Sequence, residues 1–407
     1  MLRQIAIIGA GLAGTKAAES LRQQGFDGRL WLIGDERSQP YQRPPLSKEC
    51  LLEDEILFDR VAIHEESFYG ANNIDLLVGS RVDSIDPRAR TLSLGTKTLT
   101  DIDAFILCTG GGARRLDWAA DNDGILYLRT IGDAQAIAAR LSPGIRLAVI
   151  GGGMIGCEVA ASASKRGTSV TIIEAGPALM WRSLGTAVAA QLELLHRDNH
   201  VDVHANMTVT GHKKIGSCHI LHFANGTTLE ADLIVAGLGL SPYVKLAQDA
   251  GIEVSDGIHV NADLRTSVPN VLAAGDIAAF PSAFLSRRVR QETVHNASDH
   301  GERAARTLLG IEHPEEEIPW GWSDQYGLNL QMAGEINSSV PPIFRGDRES
   351  GSFCALYLQG GVLRGAVGFD RPSEMSVMRR LIKQRRAIPA DRLCDETAPA
   401  RMLLNVA

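Results

Sequence analysis

The chain has 407 residues, 44% hydrophobic and 22% charged, with a formal net charge of −7 at pH 7. That length exceeds a single core and predicts two or three domains of globular composition, and the acidic balance argues against a general nucleic-acid binder. No run approaches the roughly 18 uninterrupted apolar residues of a membrane helix, no signal peptide is visible, and six scattered cysteines without C-x-x-C fit free thiols in a reducing cytoplasm and no metal site.

The first predicted strand, Ile5-Ala6-Ile7-Ile8, runs into Gly9-Ala10-Gly11-Leu12-Ala13-Gly14 and a helical pattern around 15–24. In such a G-x-G-x-x-G, the first glycine makes the tight turn. The second lets the backbone approach a pyrophosphate, and the third lets helix pack on strand. The helix N-terminus then offers free N–H groups and a positive dipole end to the phosphates. A second strand is predicted at 29–33, followed by Asp35 and Glu36, where an acidic side chain accepts hydrogen bonds from a ribose diol. Next comes Tyr41-Gln42-Arg43-Pro44-Pro45-Leu46-Ser47-Lys48. An apolar run at 104–108 ends in Thr109-Gly110-Gly111, a strand end and crossover.

The scheme then repeats. Leu147-Ala148-Val149-Ile150 enters Gly151-Gly152-Gly153-Met154-Ile155-Gly156, with a helix near 157–166, a strand at 169–173 and an acid at Glu174. This unit closes with the apolar stretch 233–239, ending at Gly239. Residues 262–276 give a turn at Pro269-Asn270, a short strand, and Gly275-Asp276 at a predicted helix N-terminus. After Glu315-Glu316-Glu317 the composition shifts. Residues 320–370 alternate as antiparallel strands do, and a helix and tail follow from about Ser373.

One glycine fingerprint is a weak signal. Two in one chain, each with an acid at the right distance, imply two dinucleotides, the layout in which hydride passes from nicotinamide to flavin. The expected fold is α/β and nested. An FAD-binding domain comprises 1–109 and 242–318, an NAD-binding domain at 110–241 is inserted between its halves, and a C-terminal α+β domain covers 319–407.

The run from Tyr41 to Lys48, the second fingerprint, Gly275-Asp276 and Trp320-Gly321-Trp322-Ser323-Asp324-Gln325-Tyr326 resemble the oxygenase-coupled NADH-dependent ferredoxin reductases, of glutathione-reductase-like fold. The resemblance covers nearly the whole chain, and R-P-P-L-S-K and W-x-W-S-D-Q-Y are its more specific parts. It implies FAD contacts at Ala13, Asp35, Lys48, Val82, Arg129, Asp276 and Val294; Gly9, Gly11 and Gly14 of the first fingerprint and Arg43 are also expected at a cofactor. For NAD it implies contacts at Gly151, Gly153, Ile155, Gly156, Glu158 and Glu174, with Gly239 also at a cofactor. Met154 departs from the pattern, standing where the family often has an aromatic residue that stacks over the flavin.

Each assignment has a plainer rival. Lys48 is either a surface lysine or a charge near the flavin that stabilises its reduced, anionic form. For Glu158, the choice lies between helix-dipole complementarity and contact with nicotinamide. Asp276 either caps a helix or bonds the flavin's ribityl chain. Arg129 is an ordinary ion-pair residue or a cofactor contact. Trp320 and Trp322 are core residues, or one of them, Trp320 by preference, lies at the flavin edge. Catalytic roles are expected for Lys48, Glu158 and Trp320.

Disulfide reductases of this fold carry two cysteines four residues apart in the segment where this chain has only Cys50. Electrons are therefore expected to leave the flavin edge directly. The chain has no ferredoxin-type cysteine cluster, so a separate [2Fe–2S] ferredoxin is the expected acceptor. That ferredoxin would supply an aromatic-ring-hydroxylating dioxygenase or a P450. Basic runs that could steer an acidic ferredoxin are Arg379, Arg380, Lys383, Arg385 and Arg386, and Arg287, Arg288 and Arg290. Val377, Met378, Leu381 and Ile382 are expected to face the core from the same helix as the first run. The rival functions are a rubredoxin or nitrite-type reductase or an NADH oxidase of this fold, and a flavoprotein that binds NADH as a signal, like apoptosis-inducing factor.

Overall fold

The computed structural model describes residues 2–53, 56–120 and 123–405. The chain divides into two compact units. The first comprises Met1–Gln42, Leu57–Gly112 and Leu240–Glu317; the second comprises Arg43–Ile56, Ala113–Gly239 and Ile318–Ala407. Residues 43–48 of the proline-containing motif thus group with the second unit, and Tyr41 and Gln42 with the first.

The first unit is built on a five-stranded parallel sheet in the order Val271–Ala273, Ala104–Leu107, Gln4–Ile8, Arg29–Ile33, Ile74–Leu77. These strands read as nearly continuous apolar runs because both faces of a parallel sheet are covered; Ile5, Ala6, Ile7, Leu30, Leu32, Ile106 and Leu272 are wholly buried. The helix Leu12–Gln23 starts three residues earlier than the pattern predicts, with Gly11 as its N-cap, so the third fingerprint glycine lies inside it. It packs along Val294–Leu309. The approach is close enough that a side chain at Gly301 would collide with the Ala13 carbonyl.

The second unit repeats the design in the order Val201–His204, Ser169–Ile173, Arg146–Ile150, Leu233–Ala236, Leu126–Tyr127, all parallel. Its fingerprint helix, Met154–Lys165, is N-capped by Gly153. The same unit carries an antiparallel sheet in the order Trp320–Gln325, Leu328–Gly334, Val362–Phe369, Ser352–Gln359, Ile343–Asp347. The helix Pro372–Gln384 covers this sheet and buries Met375, Met378, Leu381 and Ile382, while Val377 is only partly buried. Arg345, 1% exposed, holds the tail there: it pairs with Glu374 at 3.1 Å and donates to the carbonyls of Leu393, Asp395 and Ala398.

Two local expectations change. Asp276 does not begin an α-helix. Gly275–Ile277 is a single 3₁₀ turn, and the nearest α-helix starts at Val294, after a strand pair at Ala278–Ser282 and Arg287–Val289. Glu158 lies in the second helical turn because the helix begins at Met154. Dipole complementarity within the first turn is therefore not its role.

Candidate functional site

Each unit presents a cradle at the carboxyl end of its central strand, where open parallel sheets take ligands. In the first, Gly9 has φ +110°, and a Cβ there would overlap the Cys108 carbonyl; one at Gly14 would overlap the Gly9 carbonyl. In the second, Gly151 has φ +105° and abuts the Gly237 carbonyl, and Gly156 abuts that of Gly151. The middle glycines differ from these. Among the described residues, and apart from its own chain neighbours, a Cβ built on Gly11 or Gly153 meets no atom within 4 Å, and neither helix has a side-chain cap. Open backbone next to orphan N–H groups is what a pyrophosphate requires, so both cradles fit a dinucleotide.

The acids beyond the second strands behave differently. Asp35 is exposed and, among the described residues, has no hydrogen-bond partner, whereas Glu36 accepts a bond from the Tyr41 hydroxyl. Glu174 is engaged by backbone: one oxygen accepts from the Gly152 N–H at 2.7 Å, the other from Gly176 at 2.6 Å. Its carboxylate is thus fixed at the second cradle, with lone pairs to spare for a ribose diol.

The first unit also brings Asp276 to its cradle, since a Cβ on the adjacent Gly275 would stand 2.7 Å from that of Ala13. Val294 opens the helix that packs on the first fingerprint helix. Val82 packs against the core of this unit. In the second unit, Ile155 is exposed in the first turn of its helix and Met154 is partly buried beside it. Gly239 follows the strand Leu233–Ala236 with φ +90°, and its carbonyl accepts from the Arg114 N–H. Arg43 donates to the Arg129 carbonyl, and the Arg129 N–H bonds Asp133.

A polar cluster lies against the second fingerprint helix. Glu158 is 3% exposed, and its carboxylate accepts hydroxyl bonds from Ser47 and from Ser323, the latter at 2.7 Å. The Lys48 ammonium is 3.5 Å from Glu158 Oε1 and 3.7 Å from Asp324. Burial raises the Glu158 pKa, opposed by the Lys48 charge and the two hydroxyl bonds. Lys48 is therefore not a free surface lysine. Trp320 and Trp322 stack at 5.6 Å, and the Arg379 guanidinium lies 4.2 Å over the Trp320 ring.

The sequence reading missed Ser47, Ser323 and Gln325, although part of the signal was available. Ser323 and Gln325 are two apart on one strand and so share a face. His196, which joins this cluster from the helix Thr186–Asp198, carries no sequence signal.

All six cysteines are free. Burial, with Glu49 and Glu53 nearby, pushes the Cys50 thiol up to about 11, so it is not a ready nucleophile. Of the basic runs, Arg287, Arg288, Arg380, Lys383, Arg385 and Arg386 are exposed. Arg288 donates to the carbonyls of Val260 and Ala279, and Arg290 pairs with Asp256 and Glu292.

Residues 3–301 match the model of the pyridine nucleotide-disulphide oxidoreductases, and 320–404 match that of the reductase C-terminal domain. The chain belongs to the pyridine nucleotide-disulphide oxidoreductase family. Within this family it is 35% identical to putidaredoxin reductase of Pseudomonas putida, over 99% of this chain and 97% of that protein. It is 36% identical to the biphenyl dioxygenase system ferredoxin–NAD(+) reductase component of Paraburkholderia xenovorans, over 100% and 99%. Among solved structures, the putidaredoxin reductase–putidaredoxin covalent complex matches with a TM-score of 0.94 at 34% identity, covering 99% of this chain and 98% of that one. Among the described residues, no helix is long and apolar enough to cross a membrane, and no group of three or more His, Cys, Asp or Glu is placed to hold a metal ion.

Proposed function

We propose that the protein is an FAD-dependent NADH:ferredoxin oxidoreductase that reduces a separate [2Fe–2S] ferredoxin, which feeds an aromatic-ring dioxygenase or a P450 in the cytoplasm. The observation that carries this reading is a pair of intact dinucleotide cradles in a chain with no cysteine pair, set beside relatives named as ferredoxin reductases of oxygenase systems. FAD, when bound, would supply the coupling of two-electron hydride chemistry to one-electron transfer. The protein supplies binding and orientation. In the proposed domain assignment, FAD belongs to 1–109 with 242–318, and NADH to 110–241.

Gly9, Gly11, Gly14 and the helix behind them hold one pyrophosphate, with Ala13, Asp35, Val82, Asp276 and Val294 around that cofactor. Gly151, Gly153, Ile155, Gly156, Gly239 and Glu174 serve the other. Arg43 and Arg129 are assigned to cofactor binding, and Lys48, Glu158 and Trp320 to the reacting centre. Within that centre, the Lys48 ammonium offers positive charge, and Glu158 offers an acceptor oxygen for an amide N–H of nicotinamide. With no dithiol available, no cysteine relays electrons.

The test is anaerobic reduction of the FAD-loaded protein by NADH, followed by addition of purified [2Fe–2S] ferredoxins. The reading expects ferredoxin reduction in preference to oxygen consumption, retained within a few-fold in Cys50→Ser. Rapid peroxide or water formation with no ferredoxin reduced would establish an oxidase instead.

A further inference from the structure

The cluster at Glu158 is the visible end of a longer buried chain. The Tyr326 hydroxyl lies 2.9 Å from His196 Nδ1, and His196 Nε2 lies 2.9 Å from Gln325 Oε1. Gln325 Nε2 donates to Ser323 Oγ at 2.9 Å, and Ser323 Oγ donates to Glu158 Oε1. His196 and Ser323 are wholly buried, and Gln325 is 1% exposed. The second Gln325 N–H points at the Met180 sulfur, 4.0 Å away, which completes the amide's donor side and leaves its carbonyl for the histidine.

These contacts fix a direction. Burial lowers the His196 pKa to about 4, so the ring is neutral at neutral pH and carries one N–H. That proton sits on Nε2, because Nε2 faces a carbonyl oxygen, and Nδ1 therefore accepts from Tyr326. Burial likewise keeps the Tyr326 phenol protonated. Ser323 Oγ already receives an N–H from Gln325, so its own proton is directed to Glu158. Every donor in the chain thus points toward the carboxylate. Ser47 has no such backing and is free to reverse.

We propose that Ser323 and Gln325, backed by His196 and Tyr326, are positioning residues that lock Glu158 Oε1 as a hydrogen-bond acceptor at the nicotinamide end of its helix. The C-terminal antiparallel sheet thereby sets the state of a carboxylate in the dinucleotide-binding fold. The proposal rests on the reading of Glu158 as a nicotinamide contact. The other charges on elements packed against this helix do not substitute for the chain. Lys48 is shared with the exposed Asp324, Glu49 is exposed, and Glu174 is held by backbone N–H groups.

The test compares FAD-loaded native protein with Ser323→Ala, Ser323→Thr, Gln325→Glu and Glu158→Gln. Two readouts are followed against pH: the dissociation constant of NAD+, and the infrared carbonyl band of protonated Glu158, identified by its absence in Glu158→Gln. Loss of a hydroxyl donor raises a carboxyl pKa. Ser323→Ala should therefore move the infrared midpoint up by about one pH unit, a tenfold change in proton affinity. Gln325→Glu should move it at least as far, because the new carboxylate draws the Ser323 proton to itself, and Ser323→Thr should restore the native midpoint. A structural role alone would lower thermal stability and leave the midpoint in place. Unchanged midpoints in Ser323→Ala and in any folded Gln325→Glu overturn the proposal. If Glu158→Gln leaves the pH profile of NAD+ affinity as in the native protein, the nicotinamide contact is wrong, and the infrared midpoints still decide the positioning role.

Discussion

The two glycine cradles place equivalent atoms in equivalent turns, yet the helices behind them do different work. Counting from the fingerprints, Lys16 on the first helix stands where Glu158 stands on the second. Lys16 is about one-third exposed and pairs with Glu19 on its own helix at 2.8 Å. Glu158 is buried and is met by Ser47, Lys48 and Ser323 from outside its helix. The positions beyond the second strands differ in the same sense. Gly34 follows the first such strand, and a Cβ on it would stand 2.8 Å from that of Ala10. Glu174 follows the second, with Gly152 opposite, whose missing side chain leaves room for the carboxylate to reach its N–H. A shared phosphate cradle is thus a neutral platform, and function is written in the side chains one turn further along.

The comparison breaks most severely at the packing glycines. Gly14→Ala and Gly156→Ala each drive a methyl group into a backbone carbonyl that cannot move without the strand. Each should cost about 3 kcal/mol or more, seen as loss of folded protein or a large fall in melting temperature. Gly11→Ala and Gly153→Ala meet nothing and should fold with a penalty of about 1 kcal/mol or less. They should lose FAD content and NADH affinity respectively. A native-like melt for Gly14→Ala would show that the close approach is not rigid.

Acid should reveal a likeness between the units, since each buries histidine whose pKa burial lowers: His300 in the first, His196 and His219 in the second. Burial lowers the pKa of His196 to about 4 and that of His300 to about 3. For a histidine whose folded pKa is depressed, the stability associated with the neutral ring is intact above pH 6.5. It is lost as pH falls toward the folded value, because the unfolded chain takes the proton first. For the wholly buried His196, the loss across this window is about 3 kcal/mol. Urea midpoints should therefore drop between pH 7 and pH 4.5, and His196→Gln should flatten the drop. An equal drop in the variant assigns the acid sensitivity elsewhere.

A smaller effect separates the cradles by ligand. If, as proposed, Glu174 serves the NADH ribose, a 2′-phosphate there would meet a like charge, so NADH should be preferred over NADPH in kcat/KM. Glu174→Gly with Gly152→Ala rebuilds the first cradle's pairing in the second unit. It should reduce the preference about tenfold, equivalent to about 1.4 kcal/mol. A native enzyme that uses NADPH as well as NADH would refute the assignment.

Much of this was legible in the sequence, for a physical reason. Parallel strands buried on both faces and glycines forced by close approach leave local signatures, so both dinucleotide folds, the antiparallel domain and the apolar face of the helix Pro372–Gln384 could be read directly. The start of each fingerprint helix was misplaced by three residues because the glycine turn and the helix overlap there. The surroundings of Glu158 were not legible as a set. They join Ser47, His196 and Ser323, which are distant along the chain, and only folding brings them together. The two-residue spacing of Ser323 and Gln325 puts them on one strand face but does not by itself distinguish them from core residues, and His196 lies in a helical stretch with no motif.

The smallest structural effects, and the sharpest functional ones, are expected at the exposed cations. Arg287 in the first unit and Arg380 in the second are exposed and have no partner among the described residues, whereas Arg288 is held by two carbonyls and Arg379 lies on Trp320. Arg287→Glu and Arg380→Glu should therefore leave stability within about 0.5 kcal/mol. Arg379→Glu and Arg288→Glu would also disturb packing. If a basic face steers an acidic ferredoxin, one of the two clean reversals should raise the KM for ferredoxin several-fold and spare reduction of a small neutral quinone. The same variant should weaken the salt dependence, since exposed charges are screened over about 10 Å at 0.1 M salt. A split between Arg287→Glu and Arg380→Glu identifies which unit presents the docking charge. Identical, salt-insensitive kinetics in both would mean that neither run guides the partner.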